Sequence, residues 1–184
     1  ELFMSTDMKA IILAAGKGSR LYPLTIEKPK CLLEIDGESI IDRQIEAING
    51  IGIKDILMVV GYKKEIIMSA VGDKVRYREY PNFEKTNNLH TLWSVRDELD
   101  NDFICFFSDL IFDHEVIRRA KESMFDICMV VDTQKVLKGT MRIRLAKGKL
   151  AGIGDYIPVS GGSGNFIGIA KFSKIGANIL LKQM

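Results

Sequence analysis

Proline and cysteine are scarce in this 184-residue sequence, at 4 and 3, and each scarcity excludes something. The cysteines, Cys31, Cys105 and Cys128, are odd in number and far apart, so they describe neither a disulfide framework nor paired zinc ligands. A reducing, cytoplasmic setting is the expectation that follows. With only 4 prolines and 16 glycines, collagen-like and low-complexity chains are excluded. His90 and His114 are the only histidines, and neither has a partner at metal-ligand or catalytic-dyad spacing. No apolar run approaches the roughly 20 residues that cross a bilayer. The run nearest the start spans only Ala10 to Ala15, so no membrane partner is expected. The net charge is +2, from 26 basic and 24 acidic residues, so attraction to a polyanion needs local clustering and nucleic acid is not implied.

What is present is 47% apolar and 27% charged residues, the balance of one folded domain with a sizeable core. Residues 1–7 precede a Met8-Lys9 that reads as a native start, lack the pattern of a signal peptide, and are expected to be an appendage to a domain spanning 8–184. Four short apolar runs, Ala10 to Ala14, Ile56 to Val60, Phe103 to Phe107 and Ile127 to Val131, have the length of strands buried on both faces. Between them, Ser39 to Ile51 carries isoleucines at 40, 41, 45 and 48, the spacing of a helix face, with Gly50 and Gly52 as stops. Lys63 to Val71, Leu89 to Leu99 and Glu115 to Ser123 read the same way. Alternating strands and helices predict an α/β fold, a three-layer α/β/α sandwich around a mostly parallel mixed sheet. After Asp132 the rhythm changes to a hairpin, Met141 to Leu145 and Leu150 to Ile153 around Lys147-Gly148-Lys149. A strand over Asn165 to Phe172 follows, then a last helix capped by Ser173.

The informative stretch follows the first strand. Residues 16–30, from Gly16-Lys17-Gly18-Ser19-Arg20 to Pro29-Lys30, hold four bases and one acid, a local +3 in a chain whose total is +2. Ligands of open α/β sheets bind beyond the carboxyl ends of strands, where glycines let backbone N–H groups approach an anion. A phosphate ligand is the leading reading. A dinucleotide fingerprint would need glycine at Leu21, and a P-loop would need Gly-Lys-Ser/Thr opening a helix; neither fits. Pro23 and Pro29 oppose an early helix, so the loop is expected to stay extended and wrap a polyphosphate, with Arg20 and Lys30 reaching inward from its ends.

The run Leu13-Ala14-Ala15-Gly16-x-Gly18-Ser19-Arg20-Leu21-x-Pro23-x-Thr25, closing in Pro29-Lys30, resembles the nucleotidyltransferases that activate sugar phosphates and phosphorylated alcohols. The likeness continues through Gly61-Tyr62, Phe107-Ser108-Asp109 and Gly168 to Phe172. It implies a Rossmann-like nucleotidyltransferase fold and an enzyme that joins an NTP to a small phosphorylated substrate, releasing pyrophosphate. By resemblance, Leu13, Ala14, Ala15, Gly16, Gly18 and Ser19 bind the nucleotide, Arg20 holds the departing phosphates, Lys30 neutralises the α-phosphate, and Asp109 holds Mg²⁺. Taken alone, Asp109 is as good a turn or cap residue as a ligand, and Asp113 reads as a helix cap.

The pair Asn87-Asn88 stands where hexose-1-phosphate branches carry a Gly-Thr run. It resembles the bacterial choline-phosphate cytidylyltransferase branch, which implies CTP and a phosphoalcohol, with the asparagines contacting the nucleotide. Asn88 as a plain helix cap is the simpler alternative. Tyr80 and Trp93 could line an aromatic pocket for a quaternary ammonium, though core packing explains them too. Lys30 could lower the pKa of Cys31, against which stands a plain semi-buried thiol. A uridylyl- or thymidylyltransferase acting on sugar 1-phosphates, and a silent nucleotide-binding module, remain alternatives. The family also carries a second metal-binding aspartate late in the domain. Here Asp155 is the only acid after Asp132, at a place where many relatives have a phosphate-binding lysine, so the domain is expected to lack its C-terminal end.

Overall fold

A computed structural model describes residues 8–184; the expected appendage, residues 1–7, lies outside the described residues. The chain runs β1 (Lys9–Ala14), α1 (Leu24–Glu27), β2 (Glu34–Ile35), β3 (Glu38–Ser39), α2 (Ile40–Gly50), β4 (Ile56–Val60), α3 (Lys64–Val71), β5 (Arg76–Glu79), α4 (Asn88–Trp93), β6 (Phe103–Phe107) and α5 (His114–Lys121). It continues through β7 (Ile127–Asp132), β8 (Arg142–Ala146), β9 (Lys149–Gly154), β10 (Gly164–Phe172) and α6 (Lys174–Gln183). The main sheet is ordered β5-β4-β1-β6-β10-β8-β9, with β7 paired to β10; β2 and β3 form a separate small hairpin. The strands β5, β4, β1 and β6 are parallel, and β6 meets β10 antiparallel.

Period-two alternation divides the central strands between two cores. Ala10, Ile12, Ile56, Met58, Ile104 and Phe106 face Ile41, Ile45 and Ile48 of α2, Ile67 of α3 and Ile117 of α5. Ile11, Leu13, Leu57, Val59, Phe103 and Cys105 face Leu92, Val95, Leu99 and Ala177 on the α4 and α6 side. Three layers result, as the alternating pattern predicts, in the Rossmann-like arrangement that the resemblance implies. The carboxyl ends of β5, β4, β1 and β6 lie on one edge, and the loops leaving them compose the candidate site.

Several expectations need correction. The basic loop is not extended: 3₁₀ turns occupy Ser19–Leu21 and Lys30–Leu32, and a single turn of α-helix occupies Leu24–Glu27. Pro23 permits this because it stands at the N-cap of α1, where a missing N–H removes no helical bond. Lys28, held extended before Pro29, then stops the helix after one turn. The predicted helix over Leu89 to Leu99 ends at Trp93 and resumes only as a 3₁₀ turn at Arg96–Glu98. β7 is half-buried to exposed rather than central, because β10 is its one partner strand among the described residues. β5, with the sequence Arg-Tyr-Arg-Glu, had no apolar signal and was missed.

Candidate active site

The glycine-rich loop is folded on itself by two contacts and tied to a neighbouring turn by others. Gly18 adopts φ +66°, and a Cβ there would lie 3.2 Å from Cδ of Lys30, so the glycine is the seat of the lysine stem. Buried Thr25 donates its hydroxyl to Gly18 O at 2.9 Å. Across the sheet edge, Tyr62 N donates to Ala15 O at 3.0 Å and Tyr62 OH to Ile26 O at 3.0 Å, while Lys63 Nζ reaches Glu27. The loop is thereby fixed to the β4–α3 turn. Backbone N–H groups from Gly16 to Arg20 donate to no other protein group among the described residues. Such a run of free donors at a strand end is able to receive an anion.

Lys30 Nζ lies 2.8 Å from Asp109 Oδ2, joining residues 79 apart in sequence. The basic loop after β1 and the acid after β6 therefore meet, as they must if both serve one ligand. Gly16, Gly18 and Ser19 sit at the same edge. Leu13, Ala14 and Ala15 are buried, at 5%, 4% and 3% exposure, so their side chains belong to the core and only their backbone is available to a nucleotide. The loop's cations are mostly paired: Lys17 with Glu84 at 2.7 Å, Lys28 with Glu34 at 2.5 Å, and Lys30 with Asp109. Arg20 is exposed and has no partner among the described residues.

Lys17–Glu84 also ties the glycine-rich loop to the β5–α4 loop, which ends in Asn87 just before Asn88 opens α4. Here the two asparagines separate. Asn87, not Asn88, is the helix cap, its Oδ1 accepting from Leu89 N at 3.0 Å and His90 N at 3.3 Å. The side chain of Asn88 makes no hydrogen bond among the described residues and is free to meet a ligand. Trp93 is covered by the guanidinium of Arg96 at 4.8 Å, and Tyr80 OH donates to Thr86 Oγ1 at 2.9 Å. Burial pushes the Cys31 thiol up to about 12, overriding the lowering by Lys30, so it is no nucleophile. Asp113 caps α5, accepting from Glu115 N, and both histidines are exposed.

One residue of the site was not anticipated. Gln44, buried on α2 among isoleucines, donates from Nε2 to Phe107 O at 3.1 Å and Leu110 O at 2.8 Å, spanning the turn that carries Asp109. Its one sequence signal is a polar side chain on an otherwise apolar helix face. Thr25, the last residue of the signature after Pro23, is the hydroxyl that closes the glycine loop.

No cluster of three or more His, Cys, Asp or Glu exists among the described residues. The chain presents one carboxylate, Asp109, whose Oδ1 is unengaged, beside a loop suited to phosphates. That fits Mg²⁺, which commonly takes one or two carboxylates and completes its shell with substrate phosphates and water. No helix among the described residues is long and apolar enough to cross a membrane.

Fold and site together are those of the nucleotidyl-transferring class. The chain belongs to the Nucleotidyl transferase family, whose pattern it matches over residues 9–138. It is 30% identical over 190 residues to the CTP:phosphoglutamine cytidylyltransferase of Campylobacter jejuni, covering 90% of this chain and 73% of that one. It is 38% identical over 133 residues to a UTP–glucose-1-phosphate uridylyltransferase of Haloferax volcanii, covering 68% of this chain and 54% of the relative, or about half its length. The solved structure of the CTP:phosphocholine cytidylyltransferase of Streptococcus pneumoniae superimposes with a TM-score of 0.71 and 27% identity, over 95% of this chain and 75% of that one.

Proposed function

We propose that the domain spanning 8–184 transfers a cytidylyl group from CTP to a phosphorylated alcohol and releases pyrophosphate. The observation that carries this is the 2.8 Å contact between Lys30 and Asp109, which brings the cationic loop and a metal-binding type of carboxylate to one point. CTP is favoured because the Campylobacter and Streptococcus proteins are named as CTP-dependent cytidylyltransferases and because the Lys17–Glu84 pair ties the segment leading to Asn87-Asn88 to the glycine-rich loop.

In this reading an oxygen of the acceptor phosphate attacks the α-phosphorus of CTP, the new P–O bond forms, and the Pα–O–Pβ bond breaks with its electrons leaving on pyrophosphate. A phosphomonoester has a second pKa near ~6, so the nucleophile needs no general base. What opposes reaction is repulsion between anions. Backbone N–H groups of Gly16, Gly18 and Ser19 receive the triphosphate. Arg20 takes the departing β and γ phosphates. Lys30 exchanges Asp109 for the α-phosphate, where negative charge concentrates as the bond order changes. Asp109, so released, would hold Mg²⁺ against the phosphates. Held there, a divalent ion would supply charge neutralisation and alignment. Asn88 is the base-facing amide, while Asn87 holds the start of α4.

Pyrophosphate release tests the proposal: CTP, UTP, dTTP and ATP, each with Mg²⁺, against phosphocholine, inositol phosphate, aminoethylphosphonate and glucose 1-phosphate. Turnover with CTP and a phosphoalcohol is expected. Turnover confined to UTP or dTTP with glucose 1-phosphate would replace the reading by a sugar-1-phosphate nucleotidyltransferase, the alternative that the Haloferax relative favours. Nucleotide binding without release for any acceptor would make the domain a silent module.

A further inference from the structure

The side chain of Gln44 is 1% exposed and stands on the inner face of α2 beside Ile40, Ile41, Ile45 and Ile48. A hydrocarbon there would pack in the core with no polar atom to satisfy. An amide in that position must spend its hydrogens, and both go to one target: the carbonyls of Phe107 and Leu110. These carbonyls bracket Ser108 and Asp109. Two acceptors facing the same terminus fix the amide orientation, since only the NH₂ end can donate to both. The turn's other holds act on side chains: Lys30 on the Asp109 carboxylate at 2.8 Å, and the core on Leu110 and Phe112. Ser108 is 1% exposed, yet its hydroxyl has no partner among the described residues, so Gln44 supplies the side-chain hydrogen bonds that reach the turn's backbone.

We propose that Gln44 is a positioning residue for Asp109, a buried amide clamp on α2 that sets the Phe107–Leu110 turn so that the carboxylate is presented to the metal-bearing triphosphate. The proposal rests on the reading of Asp109 given above. It assigns Gln44 no contact with substrate. Two carbonyls separated by three residues can be held by one amide only in a closed turn; with the donors removed, they turn towards other partners and the intervening Asp109 loses its fixed direction.

The test uses Gln44→Met, which keeps length and volume while deleting both donors, and Gln44→Leu as a second apolar filler. CTP affinity is measured by calorimetry with Mg²⁺ and with EDTA, alongside UTP. The expected result is a tenfold or greater loss of the Mg²⁺-dependent gain in affinity, with metal-free affinity within about twofold of the native chain because the glycine-rich loop is untouched. Hydrogen exchange in the same variants should quicken tenfold or more at Ser108 to Ile111, with α2 amides beyond Ala47 unchanged. If exchange and the Mg²⁺-dependent gain both stay native, Gln44 is not a positioning residue. If affinity falls equally with and without Mg²⁺, its role is general stability and the proposal is overturned. A native chain that binds neither nucleotide overturns the functional reading and this proposal with it, a result distinct from native binding with unaltered variants.

Discussion

Lys30→Ala separates a role in transition-state charge from a role in holding the fold together. Two unit charges 4 Å apart at an effective dielectric near ~20 interact by about 4 kcal/mol. The Lys30 side chain is 23% exposed, so most of that attraction survives screening when its ammonium faces a phosphate. A loss of about 3–4 kcal/mol, or 10²–10³ in kcat, is the expected result. The fold contributes little to this number. The ion pair with Asp109 has one partner 35% exposed, and pairs so placed stabilise by no more than about 1 kcal/mol. Pyrophosphate release, followed continuously with the preferred acceptor, should therefore show a large fall in kcat, while urea denaturation shows a midpoint nearly unmoved. Lys30→Arg should recover only part of the rate, because a planar fork cannot occupy the place of a point charge seated on Gly18. If Lys30→Ala keeps more than a tenth of native kcat, or the loss falls wholly in KM, the lysine binds ground state and transition state alike and the argument fails.

At the opposite end of the sheet, Glu98 accepts from Arg76 at 2.9 Å and Lys9 at 2.6 Å, and Arg76 first, with Lys9 helping against the cost of burial, holds its carboxyl down to about 2. Since the folded value is below the unfolded one, near ~4.3, this stabilisation is present at pH 7, declines as pH falls below about 4.5, and is gone under about 2. Glu98→Gln should cost about 1–2 kcal/mol in urea at pH 7 after allowing for solvent screening, and nothing near pH 2; a cost independent of pH would contradict the linkage. Gly168 has φ +92°, and a Cβ would fall 2.5 Å from Cδ2 of Phe107, so Gly168→Ala should lower stability by about 2–4 kcal/mol. Less than 1 kcal/mol would show that Phe107 can yield. Asn87→Ala should cost about 1 kcal/mol of stability through the lost cap, whereas Asn88→Ala should leave the melting midpoint unmoved and weaken CTP binding. The reverse pattern would exchange their roles.

What the sequence declared most clearly were the strands with both faces buried. Ile56–Val60 and Phe103–Phe107 coincide with the predicted runs because every position in them is apolar and the flanking residues are not. β5 was invisible for the opposite reason. It lies at the sheet edge, where its backbone pairs with β4 while Arg76 and Arg78 face Asp55, Asp97 and Glu98. Its strand character comes from a neighbour, and its charges protect an edge. β7 misled because a strand with one partner can be as apolar as a central one. The site was legible where chemistry is local, in the glycines and cations of residues 16–30 and in an acid after a buried strand. Gln44 and Glu84 were not legible, since their meaning lies in residues far along the chain that only the parallel topology brings alongside.

That topology also changes how the loop's charge should be understood. Counted along the sequence, residues 16–30 carry +3, which suggests a bare cationic cradle. In the folded chain Lys17, Lys28 and Lys30 each face a carboxylate, and Arg20 alone lacks one among the described residues. On the proposed reading, a triphosphate therefore does not fall into an open positive field. It meets Arg20 and the free N–H groups first and then displaces Asp109 from Lys30, so that the lysine becomes available to the α-phosphate in the same event that frees the carboxylate for a metal. An exchange of partners costs less desolvation than creating two unpaired charges. It also makes nucleotide and metal binding mutually favourable, which is the coupling that a clamp on Asp109 would set.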